Sequence, residues 1–135
     1  MSTRSITHIH EMKGDVFGDE EQIVCSFYRH CDGYPTGHGQ DLADWLTGKR
    51  LVNGISGGFV KGRDFNRSGS MAVHLMAHIE SISGCEVVPT GAGDMWEEYT
   101  YDVYFRNGEF VIGVNGSEYL AWEFNGSNVE NEETA

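Results

Sequence analysis

The stretch Tyr99-Thr100-Tyr101-Asp102-Val103-Tyr104-Phe105-Arg106-Asn107-Gly108-Glu109-Phe110-Val111-Ile112-Gly113-Val114-Asn115-Gly116-Ser117-Glu118-Tyr119-Leu120 decides the fold. Two Asn-Gly pairs, Asn107-Gly108 and Asn115-Gly116, interrupt runs of β-branched and aromatic residues. Asn-Gly is the strongest short hairpin signal, because both central residues of a type I′ turn need positive φ. A two-residue loop at Asn107-Gly108 sets Phe105 across from Phe110, Val103 across from Ile112 and Tyr101 across from Val114, so turn chemistry and cross-strand pairing agree. Strands are expected at 98–106, 109–114 and 118–124. The second turn puts Tyr119 and Ala121 on one face and leaves Val111, Leu120 and Trp122 on the other. That face then needs cover from the long loop, a bulge in the last strand, or a second copy of the chain, so a homo-oligomer enters as an expectation.

Outward from this meander, residues 4–12 and 22–30 form a second strand pair around the turn-forming Gly14-Asp15 and Gly18-Asp19, with closure near Phe17. Ile23, Cys25, Phe27 and Arg29 share the face assigned to the core, while Val24, Ser26, Tyr28 and His30 share the other. Leu42, Ala43, Trp45 and Leu46 recur at helical spacing and predict a short helix from Gln40 to Thr47, ended by Gly48. Ala72, Leu75, Met76, Ile79 and Ile82 predict a longer one over 70–83. A strand is expected at 86–89. The stretch 52–70, with Gly54, Gly57, Gly58, Gly62 and Gly69, reads as a long loop without regular structure, and 127–135 as a disordered acidic tail. The resulting fold class is α+β: a mainly antiparallel sheet, made of the N-terminal hairpin and a C-terminal three- to four-stranded meander, with two helices on one face, in a single domain over 1–126.

The chain has 135 residues, with 21 acidic against nine basic side chains and a formal net charge of −12. Such a charge opposes nucleic acid and anionic membrane and favours a partner protein with a basic surface; its extreme form imitates the phosphate charge of DNA. Cys25, Cys31 and Cys85 form no CxxC pair, and an odd number argues against a disulfide framework. No apolar run approaches 18 residues and the first nine residues hold no apolar leader, so a cytoplasmic protein without a membrane role is expected.

The segment from Tyr28 to Gly39 packs titratable side chains, glycines and Pro35 between a strand and a helix. Arg4 and Arg29 are expected to meet at the open end of the N-terminal hairpin, where two like charges need a negative group between them. Asp32 is one such group; a phosphate or carboxylate is another, with the start of the first helix adding its positive end and with Tyr34, Tyr28 or Trp96 stacking on a base. The ligand set of this nucleotide-like reading is Arg4, Arg29, Asp32, Tyr34, His38 and Trp96. The competing reading is an Arg–Asp bridge that pins the loop, and neither GxGxxG nor GxxxxGK[ST] is present.

His74 and His78, at i and i+4, are weak candidates for a metal, and His8 with His10 share a strand face; no HExxH supplies a base. No cofactor is expected. A cysteine nucleophile at Cys31 or Cys25 with His30 or His38 is opposed by strand alternation, which turns adjacent side chains apart. Asp32 and His38 form the acid–base pair of a hydrolase reading whose separation nothing local sets. Lys61, Arg63 and Arg67 make the one basic concentration, either a solvated loop or a ligand clamp. No catalytic set is assigned.

Thr3-Arg4-Ser5 at the start, the Asp32-Gly33-Tyr34-Pro35-Thr36-Gly37-His38-Gly39 core with Leu42, Ala43 and Leu46, the run Gly69-Ser70-Met71-Ala72, and Glu97-Glu98-Tyr99-Thr100-Tyr101 together resemble a family of small uncharacterised proteins from bacteriophage and bacterial genomes. The likeness spans roughly residues 3–103 and differs at Cys31, where relatives often carry an aromatic or hydrophobic residue. The resemblance implies a phage setting and no chemistry. The expectation is therefore a phage-type, non-enzymatic binding protein that inhibits a host factor, such as a defence component in the manner of an anti-CRISPR, through an acidic surface. The alternatives are the nucleotide or anion binder and the metal- or Asp/His-dependent hydrolase.

Overall fold

The computed structural model describes residues 2–11, 22–52, 58–91 and 95–134. The expected turn around Gly14, Asp15, Phe17, Gly18 and Asp19 lies outside the described residues, as do Gly54 and Gly57 of the long loop. Eight strands are described: β1 (Ser5–His10), β2 (Ile23–Arg29), β3 (Arg50–Val52), β4 (Asp64–Asn66), β5 (Glu86–Val88), β6 (Tyr99–Arg106), β7 (Glu109–Val114) and β8 (Ser117–Leu120). They accompany three helices, α1 (Gln40–Leu46), α2 (Ser68–Ile82) and α3 (Gly126–Thr134), a π-helical turn at Pro35–Gly39 and a 3-10 turn at Ala121–Glu123.

Six strands form one sheet in the order β5-β2-β1-β6-β7-β8, antiparallel throughout except for the parallel pair β1–β6 that joins the two hairpins. The fold is α+β. Phe105 faces Phe110, Val103 faces Ile112 and Tyr101 faces Val114, the register expected from the turns. Asn107, Gly108, Asn115 and Gly116 all take positive φ, as type I′ turns require. Alternation then sends Thr7, Ile9, Phe27, Tyr101, Val103, Ile112 and Val114 to one face, all essentially inaccessible to solvent, where they meet Leu42, Leu46, Leu75 and Ile79 of α1 and α2. Full burial of each large apolar side chain contributes about 1.5–3 kcal/mol, which is what holds both helices on this face.

Three expectations are corrected. The segment 52–70 is not irregular throughout: β3 and β4 pair in parallel, with Arg50 opposite Asp64, and α2 begins at Ser68. The last strand stops at Leu120, and the 3-10 turn swings Phe124 into the core while Trp122 stays exposed. The stretch expected as a disordered tail forms α3, because Asn125 caps it, accepting from the Asn128 amide through its side chain at 3.1 Å and from the Val129 amide through its carbonyl at 3.0 Å. Val129 is buried, and Gly126 donates its N–H to Gln40 Oε1 at 2.8 Å. Among the described residues no helix is long and apolar enough to cross a membrane.

Candidate functional site

The candidate loop is pinned by its own backbone before any side chain acts. The Gly33 amide donates to the Thr3 carbonyl at 2.9 Å, the His38 amide to the Asp32 carbonyl at 2.8 Å, and the Tyr101 hydroxyl to the Gly33 carbonyl at 2.6 Å. A Cβ on Gly37 would stand 2.5 Å from the Asp32 carbonyl oxygen, and one on Gly33 would stand 2.9 Å from three atoms of residues 3–5. Glycine is required at both places by close approach, so this part of the motif is explained by packing.

Arg29 lies on the inner face of β2 beside Phe27 and is only 2% exposed. Its Nη1 donates to Asp41 Oδ2 at 2.8 Å and to His38 Nδ1 at 3.2 Å. A guanidinium can only donate, so Nδ1 of His38 is the acceptor and the ring proton sits on Nε2, which donates to Thr7 Oγ1 at 2.7 Å. Burial, and secondarily the Arg29 charge, push the His38 pKa down to about 3, so the ring is neutral. Phe27 and Tyr101 flank it edge-on at 5.8 and 5.0 Å. A neutral, wholly buried imidazole of this kind orients Arg29; it does not exchange protons with a substrate in solvent. Arg29 Nε and Ser5 Oγ, on residues paired in register across β1 and β2, remain buried without hydrogen-bond partners.

The expected arrangement is therefore revised. Asp41, not Asp32, neutralises Arg29, because α1 delivers its first turn over the inner face while Asp32, at φ 59°, turns outward and accepts from the Tyr34 hydroxyl at 2.9 Å. Arg4 is held through its carbonyl, which accepts from the Glu98 and Tyr99 amides, and its guanidinium takes no part in the Arg29 network. Trp96 is exposed ahead of β6, whereas the His38 ring is buried. Asp41 and Thr7 were missed by sequence reasoning; an acidic residue in the first turn of a predicted helix was the available signal for Asp41.

The histidines of α2 are occupied otherwise: His74 Nδ1 bonds the Ser70 carbonyl at 2.9 Å with its ring 5.1 Å from Phe65, and His78 stacks on Trp45. On the outer face of the sheet His8 pairs with Ser26 at 2.6 Å and His10 with Asp102 at 2.7 Å. Among the described residues no three His, Cys, Asp or Glu side chains converge on one metal position. Burial raises the thiol pKa values of Cys25 and Cys85, the reverse of what a nucleophile needs.

Of the basic run, Arg63 is engaged in an ion cluster around Asp64 that Arg50 joins from β3. Arg50 and Arg63 each make two hydrogen bonds to Asp64, at 2.8–3.1 Å, and the Val60 amide adds a third donor at 2.9 Å. The Arg63 and Arg50 hydrogen bonds hold the Asp64 carboxyl well below the usual carboxylate range. No family model, curated protein or solved structure matches the chain.

Proposed function

We propose that this protein is a non-enzymatic binding protein of phage type that inhibits a host factor by engaging a basic surface with its acidic C-terminal end. The observation that carries this reading is charge segregation: residues 107–135 contain six glutamates and no Lys, Arg or His. Glu118, Glu123 and Glu132 line a cavity of about 330 Å³ between β8 and α3, together with Asn125, Asn128 and Tyr119. The Tyr119 hydroxyl donates to Glu132 Oε2 at 2.7 Å and to Glu133 Oε1 at 3.5 Å; burial, followed by those carboxylates, pushes its pKa up to about 12. Mutual repulsion of such carboxylates is relieved by a cationic partner, and complementary fields speed the encounter. β8 pairs with β7 on one side and, among the described residues, has no strand on the other.

Capture from host lysate tests the reading. The captured protein should release steeply as salt rises, and Glu123→Gln with Glu132→Gln should weaken capture at low salt. Retention unchanged at high salt would count against it. The nucleotide reading at Arg29 is not retained, because that guanidinium is buried and already engaged by His38 and Asp41.

A further inference from the structure

The two edge strands of the six-stranded sheet differ. β5 is three residues long and is followed at once by Pro89, which has no N–H to offer. β8 is four residues long, holds no proline, and meets no strand on its far side among the described residues. The turn assigns its hydrogen-bonding groups. A two-residue loop closes on a hydrogen-bonded pair, here Val114 and Ser117, and bonded pairs then alternate along the hairpin. Ser117 and Tyr119 therefore bond to β7, while Glu118 and Leu120 turn their N–H and C=O groups to the open edge. Such a row is a template for one more strand.

Side-chain alternation says what that strand should carry. Tyr119 lies opposite Ile112 on the inner face, at the cavity of about 330 Å³ between β8 and α3. A guest residue beside Tyr119 points to the same side, into that cavity. Glu123 and Glu132 line it, together with Asn125 and Asn128, whereas the Glu118 carboxylate is already met by Arg106 at 2.9 Å. The side chain that complements this lining is a lysine or arginine. A second copy of the chain does not fit as well, because its own β8 brings Glu118 and Glu123 against like charges.

Resting on the binding-protein reading above, we propose that β8 is the docking edge for an extended basic segment of the partner. The segment adds to the sheet as a further strand and lays one Lys or Arg side chain from the position beside Tyr119 into the cavity at Glu123 and Glu132. Main-chain bonds at Glu118 and Leu120 hold the strand in register, and the inserted cation selects its sequence.

The test is titration of the full chain with the peptide acetyl-Thr-Val-Lys-Val-Thr-amide, followed by amide NMR shifts and hydrogen exchange. Binding should be saturable and should slow exchange at the Glu118 and Leu120 amides. Replacing the lysine by norleucine, or methylating both valine nitrogens, should each weaken binding at least about tenfold. Leu120→Pro removes an outward N–H at a position whose φ, −66°, proline already matches, and should weaken binding by a similar factor without unfolding the protein. Glu123→Gln with Glu132→Gln should do the same. If Leu120→Pro does not fold, the N-methylated peptide decides. No saturable shift, either modified peptide as tight as its parent, or full binding by a folded Leu120→Pro or by the double glutamine variant would overturn the docking edge, while salt-sensitive capture of a basic host protein would still stand. A dimer that protects the same amides without peptide would give the edge to a second copy and overturn it as well.

Discussion

Two ion clusters in this domain are built with opposite polarity. Beneath the candidate loop the cation is buried, with Arg29 at 2% exposure and its partner Asp41 at 30%; in the β3–β4 ribbon the anion Asp64 is sealed while Arg50 and Arg63 stand 50% and 42% exposed. The difference lies in what each leaves behind when broken. Without Arg29, His38 loses the donor to Nδ1 and a long side chain's volume disappears from the core. Without the Asp64 charge, two exposed guanidiniums simply rehydrate. A buried ion whose partners can reach water is a local fastener, whereas one wedged among core side chains is part of the fold.

The largest effect expected is Arg29→Ala, which should cost about 3–5 kcal/mol in chemical denaturation, because it empties a long side chain's volume from the core and leaves His38 Nδ1 buried without its donor. Arg29→Met should recover part of this by refilling volume while Asp41 turns to solvent. A cost for Arg29→Ala no larger than that of Asp64→Asn would break the comparison.

Next is pH. His38 has a folded pKa near 3 against an ordinary 6.5, so the unfolded chain takes up its proton first on acidification. Its contribution is fully present above about pH 6.5 and is lost as pH falls towards 3, at a limiting slope of about 1.4 kcal/mol per pH unit. The stability difference between wild type and His38→Gln should therefore shrink over that window, since carboxylates titrate in both proteins and cancel. A difference that does not vary with pH would show that the ring is not held neutral.

Gly37→Ala should destabilise by about 1–2 kcal/mol, because the added methyl collides with the Asp32 carbonyl and the loop must shift. A neutral result would mean that the loop has slack and would reopen a functional explanation of that glycine. The smallest global effect is expected for Asp64→Asn: the denaturation midpoint should move less than in any variant above, while hydrogen exchange quickens at the Val60 amide, which donates to that carboxylate. Unchanged exchange there would mean that the ribbon holds without its ion cluster.

The meander was legible because its information is local. Asn-Gly imposes the turn, the turn sets the register, and alternation sets the face, all within a few residues. α3 was also written locally, in Asn125 as a cap, but the acidity of 127–135 pointed the other way; one buried valine and one cap outweighed it once a surface was there to dock on. The ribbon was not legible. Its two three-residue strands carry no periodic signal, and their pairing depends on an ion pair between residues fourteen positions apart.

The candidate site divides in the same way. Arg29 and His38 were recognisable as a pair of interest, since β2 and the motif place them near one another, but Asp41 displaced Asp32 and Arg4 stayed out. Backbone sterics, turn residues and hydrophobic period act over short stretches of chain, so the residues alone determined the hairpins, both central helices and the α+β class. Which charge meets which, and whether a histidine is neutral, depend on burial and on distances across the fold. Only the packed tertiary structure decided those, turning an expected ligand hollow into a sealed core contact.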